Sequence, residues 1–191
     1  MVALATTLSV VVVVAVVLIG LVVVIYNKLV TLRNRFKTAF SQIDVQLKRR
    51  HDLIPNLVET AKGYLKHERE VLENVTKARQ QAIDASGVKD QAQAENFLTS
   101  TLRSLFAVVE NYPDLKASDN FLNLQASLNE VEEQISAARR AYNASVKDYN
   151  NALEMFPSNL VAGLMRYQQK MFFEIDAREA QPVDVGRLFE T

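Results

Sequence analysis

From Val2 to Ile25 the chain carries no charged side chain, and Thr6, Thr7 and Ser9 are the polar exceptions in that run. No other feature constrains the fold so strongly. As a helix, about 24 apolar residues rise roughly 36 Å, enough to cross the hydrocarbon core of a bilayer with some tilt. A cleaved leader would need a basic start, a shorter apolar stretch and a small-residue cleavage site. The start, MVALATT, has no basic residue, and the exit, VVVIYNKLV, has no A-x-A pattern. The segment therefore reads as a retained anchor over 1–27. Lys28, Arg33, Arg35 and Lys37 follow it, and no basic side chain precedes it. Because basic flanks stay in the cytoplasm, the expected arrangement is a single pass through a bacterial inner (cell) membrane. The amino terminus is then outside and the rest of the chain is cytoplasmic.

Beyond the anchor, the apolar residues keep a three–four spacing, the mark of helices that bury one stripe. Leu29, Leu32, Phe36, Phe40, Ile43 and Leu47 predict that the anchor continues as one helix to about Arg50. A second stripe, Leu57, Ala61, Tyr64, Glu68, Val71, Val75 and Ala78, ends near DASG at 84–87. A third covers about 91–110, before Pro113 breaks it. The last runs from Phe121 through Leu128, Ile135, Tyr142, Ser145 and Tyr149 to Phe156, with Ser118 placed to cap its start. With 5 glycines and 4 prolines to make turns, the chain favours long helices joined by short links. The expected fold is all-α: an amino-terminal transmembrane helix continuing into an elongated antiparallel, up-down four-helix bundle over 28–156. A tail follows over 157–191. In it Leu160, Val161, Leu164, Met165, Gln168, Met171, Phe172 and Ile175 recur at helical spacing beside Arg166 and Lys170. Such a segment either lies in the membrane interface or folds back onto the bundle.

Lys48, Arg49, Arg50, His51 and Pro55 crowd into one stretch. A helix reversal accounts for each type. Cations suit a helix carboxy terminus, Asp52 suits an N-cap, and proline suits a first turn. The sharper reading makes Lys48, Arg49, Arg50 and His51 a docking site for an acidic partner. Lipid contact is excluded for them by distance, since Arg50 lies about 25 residues, roughly 35 Å of helix, beyond the span. Headgroup contacts fall instead to Lys28, Arg33, Arg35, Lys37, Arg166 and Lys170.

Catalytic and cofactor motifs are missing. There is no cysteine, and HERE at 67–70 places Val71 where a zinc-protease motif needs its second histidine. No Glu-x-x-His pair, phosphate-cradling glycine loop or nucleophile elbow occurs. Glu130, Glu132 and Glu133 read as a solvated helix face. Lysine plus arginine equals aspartate plus glutamate at 22 each, which gives nucleic acid no electrostatic purchase. The expectation is a protein without catalytic, metal or cofactor residues and without a small-molecule substrate.

The run YNKLVTLRNRFKTAFSQIDVQLKRRHDLIPNLVETAKGYLKHEREVLENVTKAR at 26–79, with FPSNLVAGL at 156–164, resembles the LemA family. The resemblance covers nearly everything after the anchor. It implies a single amino-terminal anchor, a small outside terminus and an antiparallel helical bundle, with no established enzymatic activity. Aromatic or Phe-Gly residues are expected after VAGL, where this chain has MRYQQKMFF. On this basis the chain reads as a membrane-anchored, non-catalytic scaffold or adaptor that self-associates as a homo-oligomer on the lipid bilayer. The alternative is a regulatory subunit that docks on a second inner-membrane protein through 48–55.

Overall fold

The structure, a computed structural model, describes residues 2–173, with side chains from Thr6 onward. Ile175 and the rest of the tail lie outside the described residues. Every regular element described is helical: α1 Val2–Lys62, α2 Arg69–Asp84, α3 Val88–Val109, α4 Pro113–Lys116, α5 Asp119–Glu154 and α6 Ser158–Leu164. The all-α expectation holds, and α1 opens with the one stretch long and apolar enough to cross a membrane among the described residues.

The reversal expected at 48–55 is not there. Helix α1 runs through Arg50 and keeps Pro55 in its interior. The chain turns at 63–68 instead, where Tyr64 and Leu65 both donate their amides to the Ala61 carbonyl. An interior proline costs a helix about 3 kcal/mol, mostly through the lost bond to residue i−4. Two compensations offset that loss. Ile54 and Leu57 are 1% and 0% exposed, each burial contributing roughly 1.5–3 kcal/mol. The carbonyl orphaned by Pro55 is that of His51, and Arg79 Nε donates to it at 2.7 Å. The buried seam thus passes without a slip through Leu47, Arg50, Ile54, Leu57 and Ala61. Leu57 and Ala61 belong to α1 rather than to a second helix.

Packing divides the described residues into two units, 2–42 with 139–171, and 43–138 with 172–173. In the first, α1 and α5 run antiparallel: Phe36 meets Tyr149 at 5.0 Å between ring centroids, and Phe40 meets Tyr142 at 5.6 Å. The buried seam of α5 uses Val146 where Ser145 was expected, and Phe156 lies beyond the helix end, 78% exposed.

In the second unit, four helical stretches alternate in direction: 43–62 of α1, α2, α3 and 119–138 of α5. Arg79 reaches back to His51, Tyr112 reaches back to Glu68, and Arg50 meets Glu132. Their core includes Ile54, Leu57, Val75, Leu98, Leu105 and Phe121. The α2–α3 reversal needs Gly87, whose φ of +85° would strain any residue with a Cβ.

Candidate functional site

In the second unit, the seam position of α1 that an apolar residue would normally hold is Arg50, 3% exposed at its side chain. The matching position of α3 is Glu95, which sits on the same three–four period as Ala92, Leu98 and Leu102 and is fully buried. The two meet there. Arg50 Nη1 lies 3.4 Å from Glu95 Oε2 and 3.3 Å from Glu132 Oε2. Its Nη2 donates to Thr99 Oγ1 at 2.7 Å, and that hydroxyl donates in turn to the Glu95 carbonyl. The other Glu95 oxygen stands 2.7 Å from His51 Nε2. Three helices are thus tied by one cluster whose polar groups are taken up by one another. Breaking one partner of such a pair strands a buried charge.

Of the four residues expected to dock a partner, then, Arg50 and His51 are buried. Lys48 and Arg49 are exposed, with Lys48 in an exposed pair with Asp52 at 3.3 Å. Glu132 is not part of a solvated face but half-buried against Arg50, whereas Glu130 and Glu133 are exposed. Beside the cluster, a cleft of about 410 Å3 is lined by Asp44, Lys48, His51, Asp52 and Arg79. Partial desolvation raises the pKa of the exposed Asp44 above its ordinary value. A second cleft of about 790 Å3 follows the α1–α2 hairpin, with Val58, Leu65 and Leu72 as its floor and Lys62, Lys66, Arg69 and Lys77 around it. His67 is exposed, and no set of three metal-ligating side chains converges among the described residues.

In the first unit, α6 ends in a reversal that the sequence did not announce. Arg166 adopts φ +53°. Its amide donates to Gly163 O and the Tyr167 amide to Ala162 O, the bonding of a Schellman motif with arginine where glycine is usual. Among the described residues, the helical spacing of the tail therefore gives no helix beyond Leu164. Residues 167–171 lie as a strap along α5. The Asn150 amide takes both backbone groups of Lys170 at 2.9 Å each, Gln169 bonds Glu154, and Tyr142 donates its hydroxyl to Met171 O at 3.0 Å. Burial raises the Tyr142 pKa, which keeps that hydroxyl a donor. Among the expected headgroup contacts, Lys28, Arg35, Lys37 and Arg166 are exposed. Arg33 stands 6.0 Å from the Tyr167 ring centroid, and Lys170 is tied through its backbone.

Some of this was open to sequence reasoning. A cation at one seam position and a carboxylate at another are the signature of a buried pair, and the apolar period carried both. The strap has no comparable signal, because its partners are single side chains on α5.

Several known proteins are similar to this chain in sequence along most of its length. The magnetosome protein MamQ 2 of Paramagnetospirillum magneticum is 24% identical over 191 residues, spanning 86% of this chain and 70% of its own length. The magnetosome protein MamQ of Magnetospirillum gryphiswaldense is 22% identical over the same coverage. Protein LemA of Metamycoplasma hominis is 27% identical over 163 residues, 85% of this chain and 74% of its own. The LemA family model matches residues 39–186, from the middle of α1 past the strap, and the chain belongs to the LemA family.

Proposed function

We propose that this chain is a membrane-anchored, non-catalytic helical scaffold that self-associates, with its amino terminus outside a bacterial inner membrane and its packed helices in the cytoplasm. The observation that carries this reading is α1 itself: one uninterrupted helix, Val2–Lys62, holds both the apolar span and the seam that organises the packed helices. A single helix that carries both features suits an anchor for assembly. The convergence of Arg50, His51 and Glu95 supports the non-catalytic part, because these groups satisfy one another. Blue-native electrophoresis of mildly solubilised membranes tests the reading. A homogeneous band containing this chain alone, larger than a monomer, is expected. A band with a stoichiometric second protein would favour instead a regulatory subunit of an inner-membrane complex, for which Lys48 and Arg49 remain open.

A further inference from the structure

Where α5 gives way to α6, three large apolar side chains face outward: Phe156 at 78% exposure, Leu160 at 65% and Leu164 at 77%. Within the same packing unit, a cleft of about 400 Å3 is lined by Ile25, Lys28 and Leu29 on one side and by Met155, Phe156 and Pro157 on the other. Ile25 is the last aliphatic residue of the apolar run, and Lys28 is the first cation after it. At 1.5 Å per residue, Lys28 lies about 4–5 Å beyond Ile25 along α1. The polar zone on each side of a bilayer is roughly 5–8 Å deep. The corner therefore stands beside the end of the span at headgroup depth, with Lys28 and Arg166 exposed near its two ends. Apolar side chains with flanking cations are what the boundary between anionic headgroups and acyl chains accepts.

We propose that the α5–α6 corner is a second, non-spanning membrane contact, in which Phe156, Leu160 and Leu164 enter the headgroup–acyl boundary next to the span. The occupant of this exposed face is the bilayer itself, because the face is continuous with residues at the exit of the anchor. The strap after Arg166 is excluded from that role, since Asn150 and Tyr142 hold its backbone against α5. The proposal rests on the reading that Val2–Ile25 spans a bilayer.

The chain contains no tryptophan, so Leu160→Trp and Leu164→Trp each introduce a lone reporter at an already exposed site. The full chain is reconstituted into phosphatidylcholine–phosphatidylglycerol liposomes doped with lipid brominated near the headgroup or near the chain end, with Val17→Trp as the reporter for the span. Both corner tryptophans should lose most of their emission to the shallow bromines, little to the deep ones, and be shielded from aqueous iodide. If Val17→Trp is quenched by deep bromines while both corner residues stay open to iodide and unaffected by bromines, the corner does not enter the bilayer. If they are shielded from iodide and bromines alike, protein covers them, and the proposal is overturned in favour of a second copy. If Val17→Trp itself escapes lipid quenching, it is the spanning reading that fails.

Discussion

Pro55 removes one helical N–H, and the carbonyl it orphans, that of His51, is claimed by Arg79 from another helix. The two residues should thus be energetically coupled through that carbonyl. Arg79→Ala should destabilise by about 0.5–1.5 kcal/mol, the net worth of a part-buried hydrogen bond. In a Pro55→Ala background the restored amide can serve His51, so the same change should do less damage. Chemical denaturation of the four proteins of this cycle should give a coupling of roughly 0.5 kcal/mol or more, and strict additivity would show that Arg79 does not act through that carbonyl. Asp44 offers a pH test. Partial desolvation raises its pKa above the ordinary 3.8, so ionisation is harder in the folded chain than in the unfolded one. Its contribution to stability is present below that ordinary value and lost as pH rises through the folded one. Asp44→Asn should therefore raise Tm near neutral pH and lose the gain near about pH 3. An equal gain at both values would point to a cause other than ionisation.

At the scale of elements, the contrast lies between α1 and the tail. Both carry apolar residues at helical spacing, yet one is a 61-residue helix and the other, among the described residues, stops at Leu164. Continuity in α1 comes from a seam buried on both sides of Pro55. In the tail, the left-handed turn at Arg166 ends the helix, and Asn150 then supplies the hydrogen bonds that a helix would have supplied to Lys170. Asn150→Ala should free the strap, removing two bonds worth about 1 kcal/mol each. Hydrogen exchange should then accelerate at the Lys170 amide and its neighbours, with little change in the core helices. Unchanged exchange across 167–171 would mean that Asn150 does not position the strap.

For the whole molecule, the testable consequence is sidedness. Every basic residue near the span lies on its carboxy-terminal side, so a reporter active only in the cytoplasm should work when fused after Thr191. Activity of a periplasm-only reporter at that site would reverse the arrangement. The sequence by itself determined that the described chain is helical, where its long apolar stretch lies, and the three–four spacing of its buried residues, because these are properties of contiguous residues. It reached the end of α2 and both bounds of α3 to within a few residues for the same reason. It misplaced the first reversal, since a proline in a basic stretch is a locally sound place to turn. Only the tertiary structure decided otherwise: Arg79 is 28 residues from His51 and Glu95 is 45 from Arg50. Burial of a charge or continuation through a proline is favourable only when such distant partners arrive, and no local pattern encodes their arrival.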